Sequence, residues 1–249
     1  MNAETTSMQL QDLRTMEPVL RVTLQTKVYG ELRRAIMGGM VVPGETVTLR
    51  RLSEIFGTSI MPVREAVTRL IGERALMMLP NRTVIVPRMT RRRFEDLYRA
   101  RVLLEQQVVR MAAMLLTDEQ IAGVKRHNDR IIAALDQRQW HAALLANRDF
   151  HFQIYEGVGS DVFSHLIESL WLQVGPFLVF SMRTPAVRWT TEHHLAVIEA
   201  LSARNAADAA RAIAADIDET ARHLLGTGVF IDDAQTASAP SLVLAAVRR

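Results

Sequence analysis

The sequence predicts a mainly α-helical protein, with an N-terminal winged helix-turn-helix followed by an all-helical antiparallel bundle. Three observations lead to this prediction. Two short helical patterns meet at a glycine within residues 49–70, and two apolar runs around a turn follow directly. From Thr90 onward, helical patterns succeed one another with short breaks and no strand-like alternation. Helices joined by such short loops pack as antiparallel neighbours.

The first helical pattern carries one apolar face and ends at a glycine. Leu52, Ile55 and Phe56 fall at three- and four-residue steps, the spacing of side chains that share a helix face. Gly57 breaks the pattern where the backbone of a tight turn needs a positive φ. Ser59 then stands where an N-cap would begin the next helix.

The second helical pattern has an apolar and a polar face. Pro62 lies in its first turn, where the missing N–H costs little. The residues predicted to be buried are Val63, Ala66, Val67, Leu70 and Ile71. Those predicted to face outward are Met61, Glu65, Thr68 and Arg69, with Arg64 on the flank. Two such helices form a helix-turn-helix whose second helix would read a DNA major groove, although the same pattern occurs in helical proteins that bind no DNA.

A basic-tipped hairpin after this motif favours DNA binding. Apolar runs at 77–79 and 84–86 flank the turn Pro80-Asn81-Arg82. A helix-turn-helix closed by such a hairpin is a winged helix. Arg82 at the tip could lie along phosphates or enter a minor groove.

Composition and charge point to a cytoplasmic protein that approaches a polyanion. The chain has no cysteine, which excludes disulfides, thiolate metal sites and cysteine nucleophiles. We expect that no apolar run approaches the length of a membrane span, and the polar residues 1–18 carry no secretory signal. Residues 1–90 hold 12 Lys and Arg against 8 Asp and Glu, whereas the remainder holds 18 against 19. The excess positive charge therefore lies in the N-terminal third, directly before the run Arg91-Arg92-Arg93.

The chain divides into four predicted segments. These are a flexible N-terminus over 1–20, a winged helix-turn-helix domain over 21–88, a helical domain over 89–226 and a flexible tail over 227–249. The first helix is expected at about 22–37. The bundle helices are expected at 91–115, 118–137, 139–157, 161–182, 189–203 and 205–225. Thr117 and Gln120 have the spacing of a capping box at the start of the second bundle helix.

Both halves of the chain resemble one family of bacterial regulators. Residues 27–70, KVYGELRRAIMGGMVVPGETVTLRRLSEIFGTSIMPVREAVTRL, are similar to the winged helix of the GntR family. The helical half resembles FCD, the ligand-binding domain of the FadR-like branch, so that the two resemblances cover about residues 22–225. The resemblance implies an N-terminal domain that binds a palindromic operator as a homodimer. It also implies that the domain over 89–226 dimerises and binds a small effector, usually an organic acid and often beside a metal ion.

The GntR resemblance places DNA contacts on both parts of the winged helix. The matching residues are Arg50, Ser59, Arg64, Asn81 and Arg82. Arg50 would reach a phosphate, and Arg64 would make a bidentate contact to guanine. The chain departs from the family at Ile60, where arginine is usual, at Met61, where threonine is usual, and at Thr83, where the wing has glycine. These departures indicate a different operator sequence.

Four polar residues of the bundle have spacings that suit a divalent metal. Asn147 and His151 are four residues apart and share a helix face, while His194 and Asp216 lie on two later helices. Imidazoles and an oxygen ligand from three helices can build a metal site. Histidines of ordinary cores and surfaces show the same spacing, so the spacing leaves both interpretations open.

The FCD resemblance favours the metal. Metal-binding FCD domains generally use an aspartate and three histidines, and His151 and His194 match two of these histidines. Asn147 replaces the aspartate, and Asp216 replaces the last histidine. The resulting set would suit Zn, Ni or Mn.

An effector contact is implied at Arg101. The resemblance indicates that its guanidinium pairs with an effector carboxylate, for which an arginine fork is well suited. The alternative is an exposed or intrahelical ion pair with Glu105, four residues on. The aromatic residues that could wall a cavity or simply belong to the core are Trp171, Phe177, Phe180 and Trp189.

The sequence therefore predicts a ligand-responsive, non-enzymatic transcriptional regulator. One alternative is metal-dependent hydrolysis in the bundle with Glu192 as general base, although we find no nucleophile motif and no cofactor loop. Another is an architectural DNA-binding protein whose bundle only dimerises. An effector that shifts DNA affinity would separate the first interpretation from both others.

Overall fold

The computed structural model describes residues 23–182 and 191–232. The expectations for 1–20, for Trp189 and for 233–249 fall outside these residues. Within the described ranges the chain forms nine helices and three short strands. In chain order they are α1 (Leu24–Met37), β1 (Thr46–Thr48), α2 (Leu49–Ile55), α3 (Ile60–Gly72), β2 (Met77–Met78), β3 (Thr83–Ile85), α4 (Arg91–Leu115), α5 (Asp118–Asp136), α6 (Trp140–Gly157), α7 (Asp161–Met182), α8 (Glu192–Ser202) and α9 (Ala206–Leu225). The predicted fold class is confirmed.

Helices α2 and α3 form the predicted helix-turn-helix. Gly57 has φ +59° in the turn between them. Ser59 occupies the N-cap of α3, but its side chain makes no capping hydrogen bond, so the predicted capping role is wrong. The apolar face of α3 is buried against α1, through Val63, Ala66, Val67 and Leu70. The opposite face is exposed, with Met61, Arg64, Glu65, Thr68 and Arg69.

The prediction for Ile55 is wrong, because this side chain is 60% exposed. Leu52 is buried and Phe56 packs against the core one helical turn later. Ile55 is rotated by about 100° from Phe56 on a helix. In a helix of only seven residues this rotation turns Ile55 to the solvent.

The wing is an antiparallel sheet with strand order β1-β3-β2. Strands β2 and β3 are the predicted hairpin, with Met78 paired to Val84. At its tip Arg82 adopts φ +64°, and the Asn81 side chain accepts a hydrogen bond from the backbone N–H of Thr83 at 3.1 Å. Strand β1 was not predicted, because its three residues are too few to show an alternating pattern.

Six helices form the bundle within the described residues. Helix α4 packs along α9, α5 along α6, and α8 along α9. The capping box at the start of α5 is confirmed, since the Thr117 hydroxyl accepts from Gln120 N at 3.2 Å and the Gln120 side chain accepts from Thr117 N at 2.8 Å. The bundle therefore brings residues of α4, α6, α8 and α9 to one interior.

Helix α7 is the apolar core helix of this bundle. It is long and apolar enough to cross a membrane, with a mean hydropathy of 1.3, so the expectation that no run reaches that length is wrong. Half of its apolar 18-residue stretch is buried inside the protein, and α7 contacts α1, α4, α6 and α9. These contacts are those of a core helix in a globular bundle.

The winged helix docks on the bundle through α1 and α7. A Cβ built on Gly175 would lie 2.7 Å from Met37 Cα, so the two backbones approach as closely as glycine allows. Arg33 of α1 forms a salt bridge with Glu168 of α7. Domain orientation in this structure therefore depends on a close backbone contact.

The segment after α9 folds back onto the bundle. The ring of Phe230 lies 4.7 Å from Phe94 and 5.7 Å from Phe177, centroid to centroid. Ile231 N donates to Met89 O at 3.0 Å. Val229 and Phe230, in the segment predicted to begin a flexible tail, instead pack against the core, because the aromatic ring covers the end of the core.

Candidate functional site

Three of the four predicted metal ligands meet inside the bundle. His151 Nε2 lies 3.4 Å from one carboxylate oxygen of Asp216, and His194 Nε2 lies 3.3 Å from the other. The ligand atoms of these residues, from α6, α8 and α9, all lie within 4.8 Å of one another. Both histidines are buried and Asp216 is partly exposed. The arrangement is compact enough for one ion to touch all three.

Asn147, the fourth predicted ligand, lies one turn before His151 on α6. It is buried and lines the same small cavity as His151 and Asp216. Its Oδ1 accepts no hydrogen bond from any described residue. A buried acceptor without a donor costs about 1–3 kcal/mol, so this oxygen fits a bound cation or ligand.

The contacts of His151 leave one ring nitrogen free to bind a metal. Burial lowers the pKa of His151 to about 3, helped by the charges of His194 and Arg101 against the opposing charge of Asp216, so the ring is neutral at pH 7. The Tyr155 hydroxyl donates to Glu105, and its oxygen lies 3.0 Å from His151 Nδ1. Nδ1 therefore carries the ring proton, and Nε2 has a lone pair that faces the Asp216 carboxylate. These two groups repel each other, and a cation placed between Nε2 and the carboxylate would be coordinated by both.

Asp216 is ionised beside these rings. Burial alone would raise its pKa, but the charge and hydrogen bond of His194, with the charge of His151, lower it to about 2. His194 Nδ1 lies 3.2 Å from Asn128 Oδ1, and its ring stacks on Phe150 at 4.0 Å. An ionised carboxylate and oriented imidazoles are the donors that Zn, Ni and Mn accept. The residues present therefore fit a divalent metal.

Arg101 is held in a buried ion pair. Its Nε and Nη2 donate to the two carboxylate oxygens of Glu105 at 2.6 and 3.2 Å, and both side chains are buried. The guanidinium lies over the ring of Trp171, 4.4 Å from its centroid. The pair is intrahelical, as one alternative stated, but it is not exposed. Arg101 also lines the small cavity that His151, Asn147 and Asp216 share.

The cavity between these groups is small. Its volume is about 10 Å³, enough for one ion or one water molecule. Of the aromatic residues that could wall it, Trp171 does, whereas Phe177 packs on Phe230 outside it. His193 pairs with Glu219 at 2.9 Å and stays outside the cluster. An organic effector would have to open this cavity.

Two residues that orient the His151 and His194 rings, Tyr155 and Asn128, were not predicted. Tyr155 lies four residues after His151, so its helical spacing was a usable signal. Asn128 lies on α5, 66 residues before His194, and only the fold brings the two together.

The predicted DNA contacts are all exposed. They are Arg50, Ser59, Arg64, Asn81 and Arg82. Arg64 makes no salt bridge with a described residue, whereas Arg50 pairs with Glu54 at 3.4 Å. Asn81 is already engaged in the wing turn. Arg64 and Arg82 are therefore the arginines of this set that no acidic side chain holds.

The helix-turn-helix with its wing, joined to a helical domain with a buried polar cluster, gives the chain the architecture of a transcriptional regulator. Residues 24–86 match the family described as "Bacterial regulatory proteins, gntR family", and residues 96–219 match the "FCD domain". The chain belongs to the GntR family and carries an FCD domain.

Named relatives agree with this assignment. The chain is 28% identical to the HTH-type transcriptional regulator McbR of Escherichia coli K12, over 74% of this chain and 85% of McbR. It is 25% identical to the HTH-type transcriptional repressor RspR of the same organism, over 82% of this chain and 91% of RspR. Both relatives are named transcriptional regulators, and with its GntR and FCD matches the chain is a transcriptional regulator rather than an enzyme.

Solved structures share the fold. The structure of E. coli McbR/YncC has a TM-score of 0.77 at 27% identity, covering 82% of this chain and 98% of that one. A GntR regulator from Rhodococcus sp. RHA1 has a TM-score of 0.67 at 23% identity, covering 81% of this chain and 97% of that one. The likeness spans both the winged helix and the bundle.

Proposed function

We propose that this chain is an effector-responsive transcriptional regulator of the cytoplasm. Its winged helix over 21–88 binds a palindromic operator, and its bundle over 89–226 dimerises and binds a small organic acid beside a divalent metal. The proposal rests on one observation: His151, His194 and Asp216 lie close together, and the buried Oδ1 of nearby Asn147 accepts no hydrogen bond from a described residue.

The proposed metal is Zn, Ni or Mn. His151 and His194 would bind it through Nε2, Asp216 through its carboxylate and Asn147 through Oδ1. The bound ion would supply positive charge and open coordination positions for an effector carboxylate. The chain itself keeps both rings oriented: Tyr155 orients the ring of His151, and Asn128 orients the ring of His194.

Arg101 is the proposed second contact of the effector. Glu105 holds Nε and Nη2, while Nη1 makes no hydrogen bond with a described residue. Because the guanidinium is already fixed on Glu105 and Trp171, it can offer Nη1 to a carboxylate without losing side-chain freedom.

Effector binding is coupled to the winged helix through α7 in this proposal. An organic acid needs more than the present cavity of about 10 Å³, so the side chains around it must move. Trp171, on the cavity wall, is one helical turn before Gly175, whose backbone abuts Met37 of α1. A shift of α7 would therefore change how the winged helices of a dimer are spaced on half-sites about one DNA turn apart.

The test is the metal content of full-length protein purified without added metal or chelator. We expect near-stoichiometric Zn, Ni or Mn in the wild type and its loss in His194→Ala. His165→Ala is the matched control, because His165 is exposed and bonds only a backbone carbonyl. No metal in the wild type, even after each ion is added, would contradict the proposed site.

A further inference from the structure

A second cavity lies where the winged helix meets the bundle. Its volume is about 490 Å³, far larger than that of the cavity at the metal cluster. Its walls come from the turn after α3, the first three turns of α4 and the middle of α7. The lining residues are Arg74, Thr90, Arg92, Arg93, Asp96, Leu97, Ala100, Leu170 and Gln173.

Three arginines line this cavity without a carboxylate to neutralise them. Arg74 and Arg92 form no salt bridge with any described residue. Arg93 donates to the neutral side chain of Gln173 at 2.6 Å. Desolvation, and then the charge of Arg74, lower the pKa of Arg93.

The acidic residue of the lining does not balance this charge. Asp96 is bonded to Arg99 at 3.2 Å, and Arg99 also pairs with Glu95 at 3.7 Å. Of the remaining lining residues, Thr90 and Gln173 are neutral and polar, and Leu97, Ala100 and Leu170 form an apolar wall. The cavity therefore combines an uncompensated basic cluster with one apolar wall.

The position of the cavity separates it from the two sites already described. Arg74 lies 14 residues after Ile60 in α3 and its C-terminal turn, so at 1.5 Å per residue it is about 20 Å from the end of the helix that would enter a major groove. The metal cluster and Arg101 line a different cavity, and the two share no residue.

We propose that this interdomain cavity binds a small polyanion, a ligand with at least two phosphate or carboxylate groups. Guanidinium forks match both groups in bidentate geometry, and three of them exceed the charge of a single monoanion. Arg74 belongs to the DNA-binding domain, while Arg92 and Arg93 belong to the bundle. A bound polyanion would therefore bridge the two domains and give the regulator a second input, independent of the metal site.

The backbone of Arg74 offers a clean way to remove its charge. Arg74 has φ +60°, a conformation that glycine adopts without strain. Arg74→Gly therefore deletes the guanidinium without disturbing the turn. Arg138→Gly is the matched control, because Arg138 is also exposed, has φ +55° and lies outside the cavity.

The experiment is calorimetric titration of the full chain at low salt with pyrophosphate and, separately, with citrate. We expect saturable binding of one or both, with affinity about tenfold weaker or more in Arg74→Gly and in Arg92→Gln, and unchanged in Arg138→Gly. Binding of pyrophosphate alone would define a phosphate ligand, and binding of citrate alone a polycarboxylate.

Three results would overturn the proposal. The first is no saturable binding of either anion. The second is equal weakening in Arg74→Gly and Arg138→Gly, which would indicate diffuse surface charge. The third is failure of both anions to bind while Arg74→Gly weakens DNA binding, which would make the cavity a contact for the nucleic acid.

Discussion

Glu105 accepts two hydrogen bonds from Arg101, at 2.6 and 3.2 Å, within one buried turn of α4. The same carboxylate accepts from Trp171 Nε1 at 3.0 Å and from the Tyr155 hydroxyl. Tyr155 in turn accepts from His151. One buried charge thus links the arginine proposed to hold the effector to a proposed metal ligand, and it joins α4, α6 and α7.

Replacing this charge is predicted to destabilise the bundle. Glu105→Gln leaves Arg101 buried without a counter-charge, which costs about 3–5 kcal/mol of unfolding free energy. Urea denaturation of the metal-free protein measures it. Glu95→Gln is the control, because Glu95 pairs with Arg91 at the same four-residue spacing on the same helix, but at the surface. The control is expected to cost less than about 1 kcal/mol, and equal losses in the two variants would contradict the account.

Stability of the metal-free protein is predicted to fall as the pH drops below neutral. The folded pKa of His151 is about 3 against an ordinary value of 6.5, so between these values the unfolded chain binds more protons than the folded one. The contribution is complete above pH 6.5 and declines by about 1.4 kcal/mol per pH unit below it. Asp216, with its pKa lowered from 3.8 to about 2, extends the loss at lower pH.

Denaturation in the presence of a chelator, between pH 7.5 and 5, tests this pH dependence. His151→Gln is expected to make the decline shallower, because the variant has no ring to protonate on unfolding. His165→Gln should keep the wild-type slope, since His165 is exposed. An unchanged slope in His151→Gln would mean that the ring is not held neutral by its surroundings.

A methyl group at the interdomain contact is predicted to loosen the docked winged helix. The Cβ of Gly175→Ala would lie 2.7 Å from Met37 Cα and 2.9 Å from Met37 O, so backbone must shift at a cost of about 1–3 kcal/mol. Faster hydrogen exchange in α1 is the expected readout. Gly30→Ala on α1 meets nothing within 4 Å and should stabilise by about 0.5–1 kcal/mol. Unchanged exchange in Gly175→Ala would refute the tight contact.

Two arginines are predicted to act differently on DNA. Arg64→Ala should cost about 1–3 kcal/mol on the preferred operator and relax its sequence preference. Arg82→Gly, which suits φ +64°, should weaken binding to all sequences and reduce the salt dependence. Arg138→Gly, far from the motif in sequence and also at positive φ, is the control. Equal effects of Arg64 and Arg82 across sequences would contradict base reading by Arg64.

The spacing of apolar residues, together with the glycine, proline and capping residues at helix ends, was enough to predict the helices. Gly57, Pro62 and the capping box at Thr117 are local signals, and the structure places helix ends beside them. Long-range pairings left no such signal. Glu105 was recognised only as a partner of Arg101, since nothing local shows that Tyr155 and Trp171 also donate to it. The cavity at Arg74 and Arg93 could not be predicted from the sequence for the same reason, because its lining comes from both domains.

We expect the proposed metal and effector site of the bundle to control DNA binding. The direct measurement is the affinity of metal-loaded protein for a duplex selected by the wild type from a random library, with and without lactate, succinate or citrate. At least one acid is predicted to change the wild-type affinity about fivefold or more, and Asp216→Ala is predicted to bind the duplex without responding. The same affinity with every acid, or an unaltered response in Asp216→Ala, would contradict the claim.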